Sequence, residues 1–318
     1  MKKDQTIPVV DLRDFTSDSK KNRQDFISTV GRALEDTGFF ALEGHGVQSG
    51  LIDQAYGLAT RFFEMSEATK RRYEDAAMGG QRGYTSFGRE HAKDSSAPDL
   101  KEFWHVGREL PSWHGLAKTY LQNVWPAEIA EFKPVFLRIY ELMDACSMEL
   151  LKACALYLGE PETLFSDMAR EGNTILRVIH YPPIPDDYNP ASVRAAAHED
   201  INLITLLCEA TDDGLELLQR DGSWRPIRAV PGQIIVDTGD MIQNLTNGVL
   251  KSTTHRVVNP GSDKSRRFSM PFFVHPRSEV SLDPLASCIA RSGGDKKYAD
   301  IMAGDYLNQR LKEIGLYK

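Results

Sequence analysis

The chain has 318 residues, 41% of them hydrophobic, and a formal net charge of −7, which is enough apolar material to bury a sizeable core as one large domain or two smaller ones. The acidic balance and the absence of a long Lys/Arg run leave no electrostatic footprint for DNA or RNA, and no stretch of about 18 apolar residues offers a membrane span. The opening MKKDQTIPVVDL has two lysines with no apolar segment of leader length behind them, so the expectation is a soluble, cytoplasmic protein.

In chain order, helical periodicity comes first. In RQDFISTVGRALEDTGFFALEGHGV the residues Phe26, Ile27, Val30 and Leu34 fall on one helical face, followed by a stop at Gly38 and a short strand, FFALEG. Residues 78 to 127, rich in Gly, Ser, Pro and aromatics, read as a long loop with short strands, the kind of segment that often carries function. A second long helix follows, with Val135, Phe136, Ile139, Leu142, Met143 and Cys146 as its apolar stripe and Gly159 as its stop. After about residue 170 the pattern changes to short strands (TILRVIHY, INLITLLCEA, GLELLQ, WRPIRAV, GQIIVDT, STTHRVV, RFSMPFFVH) separated by turn signals such as DDG, RDG, PG, TGD and NG. That spacing predicts a sandwich, barrel or jelly roll. From Lys296 to Lys318 the tail turns helical again. Cys146, Cys154, Cys208 and Cys288 lie far apart with no C-x-x-C pair, so neither a zinc knuckle nor a disulfide framework is expected.

Three ionisable residues, His198, Glu199 and Asp200, stand at the mouth of the apolar run INLITLLCEA. On a strand edge the two-residue period sends His198 and Asp200 to one face and Glu199 to the other. A third ligand should come from another strand of the same sheet, and STTHRVV offers His255. Two imidazoles and one carboxylate on one side of a metal leave open positions, as in non-haem Fe(II) oxygenases. The same donors would also serve a catalytic zinc, and an H-x-D pair alone is more often structural.

The strand RRFSMPFFVH places Arg267 and Ser269 on one face. An arginine pointing into an apolar barrel needs a carboxylate partner. A dicarboxylic ligand would supply it, met by the planar guanidinium and the adjacent hydroxyl; an internal acid such as Asp240 is the structural alternative.

Taken in order, H-x-D, the distal histidine of HRVV and the R-x-S of RFS resemble the isopenicillin N synthase-like group of Fe(II)/2-oxoglutarate-dependent oxygenases. The likeness extends over nearly the whole chain, through IPVVDL, GFFALEGHGV, RGY, DLKEFW, NVWP, HYPPIP, GLELL, PGQIIVDTGD and NGVLKSTTHRVV. It implies a mainly β fold, a distorted jelly roll (double-stranded β-helix) wrapped by N-terminal helices and a C-terminal helix near the site mouth. Residues 1–127 would form the N-terminal oxygenase region, 128–170 a long helix and connection, 171–280 the Fe(II)/2-oxoglutarate core and 281–318 a C-terminal helical segment. Iron(II) would be held by His198, Asp200 and His255, and the distal carboxylate of 2-oxoglutarate by Arg267, Ser269 and Tyr181. Two departures stand out: Ile179 occupies the place of an asparagine common in related plant sequences, a loss for which Arg177 of the same strand parity could compensate, and the His255–Arg267 loop is slightly long, with PGSDKS as the turn that absorbs the excess.

The implied reaction consumes O2, decarboxylates 2-oxoglutarate to succinate and hydroxylates a small molecule, with desaturation or cyclisation as variants. Some members of the group use no 2-oxoglutarate, and there the R-x-S pair would anchor a substrate carboxylate; a zinc hydrolase is the more distant alternative, leaving Arg267 and Tyr181 without a role. Tyr84, Phe103, Trp104 and Phe273 are candidate pocket-lining groups, and Arg89 and His275 could meet a polar or acidic substrate. A monomer is expected, with neither nucleic acid nor membrane as partner.

Overall fold

Which face of a strand a residue occupies decides whether it meets helices or the site. The computed structural model describes residues 7–91, 97–184, 188–189, 191–208, 210–228, 230–259 and 265–316. The turn expected at PGSDKS falls largely on residues 260–264, outside the described ones. The strands are β1 (Val9–Asp11), β2 (Phe39–Glu43), β3 (Gly83–Thr85), β4 (Glu102–Gly107), β5 (Ile175–Tyr181), β6 (Ala195–His198), β7 (Ile204–Cys208), β8 (Leu215–Leu218), β9 (Trp224–Pro226), β10 (Ile234–Thr238), β11 (His255–Val257) and β12 (Arg267–Val274). They form an eight-stranded sheet in the order β1-β2-β10-β7-β12-β5-β4-β3 and a four-stranded sheet in the order β6-β11-β8-β9. The result is a jelly roll of two sheets with flanking helices, open rather than closed into a barrel.

The helices Lys20–Asp36, Ser49–Phe63 and Phe132–Leu158 cover the outer face of the large sheet. The first begins where the Ser19 side chain accepts from Asn22 N at 3.3 Å. It stops at Gly38, whose N–H returns to Ala33 O at 3.0 Å. With φ of 74° and a Cβ that would stand 2.6 Å from the Lys251 carbonyl oxygen, this position admits only glycine. The apolar stripe read from the sequence, Phe26, Ile27, Val30 and Leu34, is buried. Gly159, also left-handed, ends the long helix as expected. The tail is helical over Ala303–Glu313. No helix among the described residues is long and apolar enough to cross a membrane.

In β4, β5, β7 and β12 the even-numbered side chains, among them Trp104, Leu176, Leu206, Phe268 and Phe272, enter the helix-side core. The odd-numbered ones, among them Arg177, Tyr181, Thr205, Arg267 and Ser269, face the smaller sheet and the cavity between. This register corrects part of the sequence reading. Tyr84 pairs across the ladder with Trp104, and both go to the helix side. Tyr84 donates to the buried Glu102, which also takes Lys70 Nζ and lies against His180 Nδ1, each at 2.7 Å. Trp104 packs edge-on against Phe62 (centroids 4.7 Å apart) and Phe132 (5.3 Å). Neither residue lines a cavity near the site. Trp104→Ala should therefore lower the unfolding free energy by about 3–5 kcal/mol in urea titrations, while the folded protein keeps its affinity for 2-oxoglutarate.

Candidate active site

β6 ends at His198, and β11 runs antiparallel beside it with His255 opposite His198, the two rings 4.4 Å apart. Each imidazole is oriented by a backbone carbonyl: His198 Nδ1 lies 2.7 Å from Ala196 O, and His255 Nδ1 lies 3.1 Å from Thr253 O. A carbonyl oxygen can only accept, so both Nδ1 atoms carry hydrogen and both Nε2 lone pairs are free for a metal. Asp200 comes not from a strand but from the turn after β6, where Thr205 Oγ1 donates to Oδ2 and Asp240 N donates to its main-chain oxygen at 2.7 Å. Its Oδ1 stands 3.8 Å from both Nε2 atoms. One ligand atom from each of the three residues lies within 4.8 Å of the others, a donor set that could hold a cation with positions left open.

Glu199 is outside this set and takes the Thr254 hydroxyl at 3.0 Å. Burial, together with the neighbouring His198, pushes the His255 pKa down to about 4, keeping the ring neutral and ready to ligate. Asp237 of β10 is buried beside Asp200, and burial and the Asp200 charge hold its carboxyl well above the ordinary range.

Arg267 and Ser269 line the same cavity as these three residues, as does Tyr181, which faces Arg267 across the β5–β12 ladder. Only 2% exposed, the Arg267 guanidinium sits 5.0 Å from the Tyr181 ring centroid. Its Nε donates to the Asp212 carbonyl at 3.1 Å, while Nη1 is buried without a partner. Among the described residues it makes no ion pair; Asp240, its possible structural partner, is bound instead by Arg310 at 2.8 Å. Ile179 also lines this cavity.

A second, larger cavity of about 380 Å³ opens from the first, sharing His198, Asp200, Lys101, Arg177 and Phe273. Arg177 donates from Nε to His105 Nε2 at 2.6 Å and from Nη1 to Glu90 Oε1 at 3.0 Å, with its guanidinium 4.2 Å from the Phe103 ring centroid and 5.3 Å from that of Phe273. Lys101 Nζ lies between Glu90 (2.7 Å) and Asp99 (2.8 Å). Phe103 thus supports Arg177 on the inner face but is not among the residues lining either cavity. Arg89 is engaged by Glu74 at 2.9 Å and does not line them either. His275 does. Sequence reasoning missed Lys101, Glu90 and Asp237. Asp237 left a signal, since it is a charged residue inside the predicted strand GQIIVDT, whereas Lys101 and Glu90 lie in a segment with no periodicity to read.

Residues 172–276 match the family model of the 2OG-Fe(II) oxygenase superfamily, and residues 7–128 match that of the non-haem dioxygenase in morphine synthesis N-terminal region. A 2-oxoglutarate-Fe(II) type oxidoreductase of Aspergillus fumigatus is 31% identical over 92% of this chain and 87% of its own. Among solved structures, a 2OG-Fe(II) oxygenase family protein from Caulobacter crescentus is 40% identical, with a TM-score of 0.85 over 97% of this chain and 99% of that one. A Neurospora crassa protein solved in complex with alpha-KG and thymine is 27% identical, with a TM-score of 0.84 over 96% of each chain. The chain belongs to the 2OG-Fe(II) oxygenase superfamily. It is a dioxygenase that uses Fe(II), 2-oxoglutarate and O2 and couples oxidative decarboxylation of 2-oxoglutarate to hydroxylation, desaturation or cyclisation of a small molecule.

Buried neutral histidines make the metal-free protein acid-sensitive. His255 and His275 are both held near 4 by burial, whereas in the unfolded chain each returns to about 6.5. The unfolded state therefore binds more protons throughout that interval. Stability should be full above about pH 6.5 and fall on acidification until about pH 4, by about 3 kcal/mol or less from each imidazole, as measured by urea titrations of the chelated protein.

Proposed function

We propose that His198, Asp200 and His255 hold the iron and that Arg267, Ser269 and Tyr181 receive the distal carboxylate of 2-oxoglutarate. The observation that carries this reading is the Arg267 guanidinium, buried beside Tyr181 in the same cavity as the three metal donors, with an unpaired Nη1 and no ion pair among the described residues. A buried charge in that state is costly unless an anion completes it, and a carboxylate fits. The donor set is equally suited to iron: two neutral imidazoles fixed through Nδ1 and one carboxylate fixed through Oδ2. Arg177 lines both cavities with Nε and Nη1 held by His105 and Glu90, and its remaining N–H groups would be what compensates for Ile179 at the iron-side carboxylate.

When bound, iron with 2-oxoglutarate and O2 supplies the oxidising chemistry. The protein's own groups hold the cosubstrate, orient the substrate in the larger cavity, with Phe273 on the wall common to both, and exclude water. Residues 171–280 would form the catalytic core. Four buried cysteines, none of them joined in a disulfide among the described residues, suit a reducing compartment such as the cytoplasm.

Arg267→Ala should weaken 2-oxoglutarate binding hundreds-fold or more, from a loss of about 3–5 kcal/mol, with iron content unchanged. Anaerobic titration of the visible charge-transfer band measures it, and wild-type affinity would refute the anchor assignment. His198→Ala and Asp200→Ala should each abolish succinate release in air, and residual turnover near the wild-type rate would remove them from the iron site.

A further inference from the structure

One row of inward side chains runs along β12. Arg267, Ser269, Pro271 and Phe273 line the cosubstrate cavity, and His275, the next residue of that parity, lines the larger one. His275 is fixed twice, its backbone N–H donating to Thr174 Oγ1 at 3.3 Å and its ring Nδ1 lying 3.1 Å from the Phe273 carbonyl oxygen. Because that oxygen can only accept, Nδ1 carries the hydrogen and Nε2 keeps its lone pair, with no hydrogen-bond partner among the described residues. Burial keeps the ring neutral, its pKa pushed down to about 4, so the lone pair survives at neutral pH.

Glu90 lines the same cavity with its side chain 8% exposed. Its Oε1 receives Arg177 and Lys101, while Oε2 is buried without a partner. The cations of this cavity are already engaged: Lys101 by Glu90 and Asp99, Arg177 by His105 and Glu90, and Arg310 by Asp240 and Glu313. Acceptors are left over where positive charge is already committed. A carboxylate placed here would face a lone pair and an anion, whereas an N–H group would complete both.

We propose that His275 Nε2 and Glu90 determine specificity by receiving N–H groups of a neutral or cationic nitrogen compound, an amide, ureide or amine, and by excluding carboxylates. This names the substrate class for the oxygenase site above and rests on that reading. Of the polar or acidic substrate that the sequence offers His275, it keeps the polar alternative.

Four probes sharing a methyl-bearing six-membered ring separate the chemistries: thymine, 4-methylbenzamide, 4-methylbenzylamine and 4-methylbenzoate. With the iron- and 2-oxoglutarate-loaded enzyme under anaerobic conditions, at least one N–H probe should perturb the charge-transfer band and bind in calorimetry at least tenfold more tightly than 4-methylbenzoate. His275→Phe should weaken that probe at least about tenfold while leaving iron content and 2-oxoglutarate affinity unchanged, and His275→Gln, which keeps an acceptor, should restore most of the loss. The proposal is overturned if 4-methylbenzoate binds as tightly, if none of the three N–H probes perturbs the band, or if His275→Phe binds the preferred probe unchanged. Failure of the wild-type protein to form the band with Fe(II) and 2-oxoglutarate would sink the oxygenase assignment instead.

Discussion

The inner face of the large sheet carries ionisable groups where a sandwich of this kind would ordinarily bury hydrocarbon, and each of those groups has to be compensated inside a low-dielectric space. Much of the cavity architecture follows from that requirement. Lys101 is acceptable between Glu90 and Asp99, and Arg177 between His105 and Glu90. Arg267 has a carbonyl and an aromatic face for company but no ion pair among the described residues. That difference is what sets Arg267 apart, in the proposed reading, from the ion-pair network on the same strands.

Compensation on the metal side takes a different form. His198 and His255 spend their N–H groups on carbonyl oxygens of their own strands or the segment just before, and Asp200 spends one oxygen on Thr205. One donor atom from each is left close to those of the other two. The order comes from folding: carbonyls two residues away orient the two imidazoles, and the Thr205 hydroxyl with the Asp240 N–H holds Asp200.

Much of this was legible in the sequence because the period of a strand is short and rigid. Two-residue alternation on β12 and β5 was enough to group Arg267, Ser269, Phe273, Arg177 and Tyr181, and the helical stripe from Phe26 to Leu34 was equally plain. What escaped is what alternation does not govern. Asp200 lies beyond the end of β6, so its place beside His198 comes from a turn held by Thr205 and Asp240 rather than from strand parity. Tyr84 and Trp104 were grouped with the pocket because they are aromatic and sit in the right segment, yet the β3–β4 register sends both to the helices. Glu90 sits in a loop, and its meeting with Arg177 spans 87 positions of sequence.

β12 serves two rooms at once: the guanidinium at one end faces the proposed cosubstrate cavity, and the imidazole beyond its other end faces the proposed substrate cavity, with Phe273 as the common wall. Such a layout lets descendants of this scaffold diverge in what they oxidise by altering a few residues at one end of the strand, while the oxidant-generating half is inherited untouched. Novelty in diet then costs little in chemistry.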